Sequence, residues 1–293
     1  MAISASMVKD LREKTGAGMM DCKKALEATN GEEEAAVAWL REKGLAKAAK
    51  KAGRATSEGL IGSYVSEDGK VGVLVEVKCE TDFVAKNDKF QDFVVQLAKQ
   101  VAKQNPATLA ETDYQGGQSA TDALSTLISV LGENMQLGRF TRLERQAEGG
   151  FGLYVHANGK IGVLVEFACP DAVASKPGFQ DSARDVAMQV AAVSPICVSS
   201  DQVPADLLAK EKEIYKNMAM EEGKPEAIAE KVVIGRIQKY YKDVCLLEQP
   251  FIKEDKKSVG AMLKEAGKAL GGEIKVNRFV RMALGEDAAA EKE

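Results

Sequence analysis

The chain has few of the side chains that do chemistry. A single histidine, His156, serves 293 residues, which excludes HExxH zinc sites and any site built from several histidines. The five cysteines (22, 79, 169, 197 and 245) are odd in number, widely spaced and without a CxxC pair. They read as reduced thiols of a cytoplasmic protein, not as a disulfide or zinc framework. There is no GxSxG nucleophile turn and no GxxxxGK[ST] phosphate loop. The GxG in "TGAGMMD" follows a helical pattern and lacks a third glycine, so it is not a dinucleotide fingerprint. No apolar run approaches the ~20 residues of a membrane helix, and "MAISASMVKDLREKTG" lacks the apolar stretch of a leader peptide. The formal net charge of −4 gives no basic footprint for nucleic acid. Neither metal nor cofactor is expected. Aromatics are only 5% of the chain, so an aromatic placed at a turn invites explanation.

Hydrophobic spacing supplies the organisation. Met7, Val8 and Leu11 share a helical stripe that stops at Thr15-Gly16. A second helix, with Asp21 as its cap, carries Cys22, Ala25 and Leu26 to Asn30-Gly31. In "EEEAAVAWLREKG" acids open and bases close a third helix, with Gly44 as its stop, as the helix dipole favours. These three helices, with Trp39 packed inside, form a bundle over residues 1–54. The basic stretch "LAKAAKKAGR" is either a solvated helical linker, the reading we prefer, or a phosphate-binding patch.

The remainder is an internal repeat. "GKVGVLVEVKC" (69–79) returns as "GKIGVLVEFAC" (159–169), with eight of eleven positions identical, and "GENMQLGRFTRL" (132–143) is echoed by "GGEIKVNRFVRM" (271–282). Valines 71, 73, 75 and 77 with Cys79 fall on one strand face at period two. The turns "SEDGK" and "HANGK" make hairpins. The expected fold class is α+β: the bundle, then two related antiparallel sheets with helices on one side, over 55–147 and 148–284. The second copy holds an insertion at about 204–242, broken by Gly223-Lys224-Pro225, which reads as a helical hairpin that either leans on its subdomain or projects to touch something. Residues 285–293 read as a disordered tail.

The repeat isolates one corner. After the cysteine, the first copy has Glu80-Thr81-Asp82-Phe83-Val84, and the second, one residue shorter, has Pro170-Asp171-Ala172-Val173. Since alanine stands where the first copy has Phe83, the shared fold does not require the aromatic. Phe83 either covers local helix ends or makes a contact outside the subdomain.

The blocks "LREKTGAGMMDCKKALEATNG", "VKCETDFVAKNDKFQDFV", "LGENM", "GKPEAIAEKVVIGR" and "QPFIKEDKKSVGAMLKE", in this order over nearly the whole chain, resemble the bacterial elongation factor Ts family. The resemblance implies a ubiquitin-associated-like bundle, a two-subdomain core and a coiled-coil insertion. It implies a guanine nucleotide exchange factor, not an enzyme, acting in the cytoplasm on elongation factor Tu. In this family's pattern Asp82 and Phe83 intrude into the partner, and Thr81, Asp82, Phe83 and Val84 form the segment that dislodges its Mg2+ ion. Met19, Met20, Leu11, Lys23, Leu131, Gly132 and His156 match partner-binding positions. Met19 and Met20 read as part of the loop between the first two helices, and methionine suits an adaptable interface on its own account. By default Lys23 is a solvated charge, His156 a surface histidine and Gly132 a helix stop. Two competing readings are a carboxylate enzyme around Glu80 and Asp82, and an RNA- or ribosome-associated module using the basic run 41–54. No binding of nucleotide, membrane or nucleic acid by the chain itself is expected.

Overall fold

The computed structural model describes residues 3–156 and 158–286; the tail expected over 285–293 lies outside them from residue 287 onward. Helix α1 (Ala5–Thr15) starts where the Ser4 hydroxyl accepts from the Met7 N–H and ends at Gly16, whose φ of 68° satisfies a left-handed cap. Helices α2 (Met19–Ala28) and α3 (Glu33–Lys51) complete the bundle around Val8, Leu11, Cys22, Ala25, Leu26 and Ala36. Trp39 is only half-buried, with the Lys43 ammonium 5.5 Å from its ring centroid.

Two local expectations fail here for tertiary reasons. Asp21 does not cap α2, which begins two residues earlier behind Gly18; its carboxylate instead meets Lys47 at 2.9 Å. Gly44 does not end α3, which continues through the alanine- and lysine-rich stretch to Lys51. Glycine costs a helix interior about 1 kcal/mol, and packing on the next domain offsets that.

The first repeat comprises β1 (Glu58–Val65), β2 (Val71–Cys79), the one-turn helix α4 (Asp82–Ala85), α5 (Asp88–Gln104), a short hairpin of β3 (Asp113–Gln115) and β4 (Gln118–Ser119), α6 (Ala120–Leu131) and β5 (Met135–Glu144). Gly44 is buried where α3 crosses α6, within reach of Ser125 and Ser129, and Arg41 pairs with Asp122. The second repeat comprises β6 (Gly149–Val155), β7 (Ile161–Ala168), α7 (Asp171–Ala174), α8 (Pro177–Val193), the inserted hairpin α9 (Ala205–Glu221) and α10 (Glu226–Val244), β8 (Pro250–Phe251), β9 (Glu254–Ser258), α11 (Val259–Leu270) and β10 (Lys275–Ala283).

The two copies match in register. Their antiparallel sheets run β1-β2-β5 and β10-β7-β6, and Tyr64 opposite Val73 becomes Tyr154 opposite Val163. One face of each sheet packs on its helices, through Val73, Val75 and Val77 in one copy and Val163, Val165 and Phe167 in the other. The opposite faces are not solvated. They pack on each other through Ile61, Leu74, Leu143, Phe151, Leu164 and Met282. Gly72 lies under Leu164, and Gly162 under Ile61 and Leu74, where an added Cβ would approach within 2.7 and 2.5 Å. The fold is therefore mixed helix and antiparallel sheet, with helices on the two outer faces and the sheets back to back. The hairpin α9–α10 packs chiefly on itself, rooted by Leu208, Tyr240 and Tyr241 on Cys197, Val203 and Cys245. It exposes Ile214, Met218, Met220, Ile228 and Ile234.

Candidate functional site

Strand β2 ends in the apolar core at Cys79, which is fully buried, and burial pushes its thiol up to about 12. The chain then turns outward. Thr81 caps α4 by accepting from the Val84 N–H at 3.4 Å, and its own N–H and hydroxyl donate to the Glu133 carboxylate at 3.0 and 2.7 Å. Glu80 accepts from the Asn134 N–H and lies 3.5 Å from Arg54. The Asn134 amide donates in turn to the Arg54 carbonyl at 2.8 Å. The segments after α3, β2 and α6 thus converge on one corner and hold it by charge-assisted hydrogen bonds.

On this corner alternate sides of α4 have opposite fates. Val84 and Ala85 are buried in the core, whereas Phe83 is 81% exposed. Asp82 pairs with Lys86 at 2.7 Å, and that hydrogen bond holds its carboxyl below the usual range while raising the Lys86 ammonium. The equivalent corner of the second copy is built differently. Pro170 replaces the threonine cap, and Asp171 is engaged locally, accepting from the Gly149 N–H at 3.2 Å and facing Arg145 at 3.3 Å. Ala172 stands in the place of Phe83.

Other positions expected to bind gather around the corner. Leu131 is the last residue of α6, half-buried against the core, and Gly132 caps that helix with φ 84°, just before Glu133 and Asn134. His156 is exposed on the β6–β7 turn, its Nδ1 3.3 Å from the Tyr154 hydroxyl. That turn rests on the first sheet, where the Ile61 N–H donates to the Gly159 carbonyl at 2.7 Å and Lys160 meets Glu58 at 2.6 Å. The Lys160 charge also bears on Asp82.

Met19, Met20 and Lys23 form a second patch, on the bundle. The two methionines occupy the first turn of α2, not a loop, and are 56% and 62% exposed. Lys23 is solvated, 3.8 Å from Glu27. The ammonium of Lys89, at the start of α5, lies close to Gly16 in the turn before α2. Leu11 does not join them. It is fully buried in the bundle core, so its side chain holds α1 on α2 and offers no surface. Val84 likewise anchors α4 from below.

The Glu133–Thr81 and Asn134–Arg54 contacts were not legible beforehand. "LGENM" shows a helix stop, but nothing in its spacing says that its acid reaches back across 52 residues. Within the basic run of α3, Arg41 pairs with Asp122, Lys47 with Asp21, and Lys43 lies over Trp39, so these three charges have structural partners. Among the described residues no three His, Cys, Asp or Glu side chains cluster to hold a metal ion, and no helix is long and apolar enough to cross a membrane.

Phe83 on its anchored corner and the Met19–Met20 pair on the bundle are thus large apolar side chains left in solvent. The comparisons give the family. The model described as Elongation factor TS matches residues 80–286. Elongation factor Ts of Nitratidesulfovibrio vulgaris is 54% identical over 293 residues, covering 100% of this chain and 99% of its own. Those of Desulfovibrio desulfuricans and Clostridium kluyveri are each 50% identical, over 97% and 99% of this chain and 98% and 95% of their own. The chain belongs to the elongation factor Ts family, the translation elongation factors of that name.

Proposed function

We propose that this chain is the guanine nucleotide exchange factor of elongation factor Tu: it binds the GDP-loaded factor, promotes GDP release and leaves when GTP enters. The observation that carries the reading is Phe83, exposed on a one-turn helix whose Thr81 cap is held by Glu133 and whose Val84 and Ala85 are buried. A rigid wedge loses little conformational freedom on insertion, so most of its burial energy is available for binding. Burying a phenylalanine supplies ~1.5–3 kcal/mol, and each ~1.4 kcal/mol is tenfold in affinity. One wedge therefore accounts for one to two decades of coupling between this chain and the nucleotide.

Such coupling is reciprocal. If this protein binds the nucleotide-free partner better than the loaded one, nucleotide must weaken its binding by the same factor. In this mechanism Phe83 enters an apolar pocket near the partner's phosphate and Mg2+ region, and Thr81–Val84 displace the coordination of that ion. Losing the metal uncovers phosphate charge and weakens GDP further. Asp82, kept ionised by Lys86, supplies a carboxylate beside the wedge. Met19, Met20 and Lys23 dock the bundle on the nucleotide domain, Leu131, Gly132 and His156 flank the wedge, and the second repeat meets another domain of the partner. We place this activity in the cytoplasm, with no nucleotide bound by the chain itself.

The test is release of labelled GDP from elongation factor Tu with catalytic amounts of this protein. Acceleration is expected, with no saturable GDP binding by the isolated chain in calorimetry. Unchanged release, or stoichiometric GDP binding, overturns the reading.

A further inference from the structure

The root of the inserted hairpin contains a chemical pair that the exchange reading does not use. Cys197 lies before α9 and Cys245 closes α10, and their sulfur atoms are 3.6 Å apart across 48 residues of sequence. The backbone brings them together. The Ile196 N–H donates to the Val244 carbonyl at 2.9 Å, and the Leu246 N–H to the Cys197 carbonyl at 3.0 Å, so the two cysteines are partners in a parallel bridge. Bridged residues on neighbouring strands lie roughly 4.7–4.9 Å apart, inside the ~4.4–6.8 Å Cα separation that a disulfide accepts. The other three cysteines are buried in separate clusters, Cys22 in the bundle and Cys79 and Cys169 each beneath its own sheet.

We propose that Cys197 and Cys245 form a reversible disulfide, with a hydroperoxide as oxidant, that ties the two ends of the α9–α10 hairpin at its root. Cys197 is the entry point, because it is 9% exposed while Cys245 is fully buried. The Cys197 thiol gives up its proton as its sulfur attacks a peroxide oxygen, the O–O bond breaks, and the distal oxygen leaves with that proton as water. Cys197 is then a sulfenic acid. The Cys245 sulfur attacks the Cys197 sulfur, the S–O bond breaks, and the hydroxyl leaves as a second water with the thiol proton. Two thiols and one hydrogen peroxide thus give one disulfide and two waters, and a dithiol reverses the change. Burial pushes both thiols up, Cys245 to about 12, so thiolate is scarce and the pair is slow to oxidise. The ring so closed contains the whole of α9 and α10. Besides the backbone bonds above, the small apolar cluster of Val203, Leu208, Tyr240, Tyr241 and Val244 fastens them at the root. Oxidation therefore fixes the hairpin's root without altering the Phe83 corner.

Folded wild-type protein is treated with hydrogen peroxide, quenched, alkylated in denaturant and mapped by mass spectrometry. The expected product is one cross-linked peptide pair joining Cys197 to Cys245, with Cys22, Cys79 and Cys169 alkylated. Dithiothreitol restores both thiols, and the oxidised form has a higher Tm than the reduced form. Cys197→Ser, confirmed folded by circular dichroism, yields no intramolecular cross-link; the wild-type map stands without it. The proposal is overturned if peroxide leaves both thiols free, carries Cys197 to the sulfinic acid with Cys245 unpaired, or links either of them to another cysteine.

Discussion

Phe83 and Ala172 occupy equivalent places after strands that pair in the same register, so the chain contains its own control for what the aromatic does. Removing Phe83 leaves no cavity, because its ring is in solvent. Phe83→Ala is therefore expected to leave Tm within about a degree of wild type and to slow GDP release by roughly ten- to a hundredfold, the range set by burying one phenylalanine. A truncated core phenylalanine would instead cost ~3–5 kcal/mol of stability. Asp171→Ala gives the comparison in the second copy, with exchange unaltered; equal exchange by Phe83→Ala and wild type removes the wedge. The residue that aims the wedge is tested separately. Glu133 accepts both donors of Thr81, so Glu133→Ala is expected to cost ~1–3 kcal/mol and to lower exchange with Phe83 still present. Chemical denaturation and the GDP-release assay on the same sample read both effects. What the repeat disclosed was the oddity of Phe83; what it concealed was the cradle, since hydrogen bonds between segments 52 residues apart leave no periodic trace.

Elements with strong patterns were read from the sequence because one physical signal decided each. The stripe of α1 and its Gly16 cap, the alternating valines of β2 and the Gly223-Lys224-Pro225 break between α9 and α10 all stand where spacing and turn chemistry put them. The misreadings occurred where two signals competed. At Gly44 local propensity argued for a stop, and contact with α6 prevailed. At Asp21 a good capping residue was instead used as the partner of Lys47. The hairpin tests the same balance of local and tertiary terms. On its helices Ala219 and Ala229 are fully buried, while Ile214, Ile228 and Ile234 face solvent. Replacing residues 210–238 by a short linker keeps the root residues Leu208, Tyr240 and Tyr241. The shortened protein is expected to retain the Tm of the rest of the molecule and to bind elongation factor Tu more weakly, measured by titration against immobilised partner. A broad loss of cooperativity on melting would show that the hairpin belongs to the core.

At the scale of the whole molecule, the unexpected feature is that the two sheets share a core. Period-two valines announced one buried face, and the reverse face, with Gly72, Leu74 and Glu76 in one copy and Gly162, Leu164 and Glu166 in the other, carries glycine and a carboxylate that normally signal solvent. The identity of those positions in the two copies was the available clue: each glycine admits the large side chains of the facing sheet, and each glutamate is satisfied internally, Glu166 by Arg278 at 2.8 Å and Glu76 by the Gly285 N–H at 3.0 Å. This packing also sets the geometry of the proposed binding face. It seats the His156 turn on β1, next to the strand pair that carries the Phe83 corner. Gly162→Val places a branched side chain where a Cβ already comes within 2.5 Å of Ile61 and 3.2 Å of Leu74. Overpacking of this kind costs ~1–3 kcal/mol, and relief requires the sheets to separate. The variant is therefore expected to unfold at lower denaturant and to exchange GDP more slowly, although no residue of either patch has changed. Phe83→Ala combined with Gly162→Val distinguishes the two origins of lost activity. If the glycine acts by positioning the corner, the double variant exchanges little worse than Phe83→Ala alone; if the two losses multiply in full, the sheets contribute to partner binding independently of the wedge.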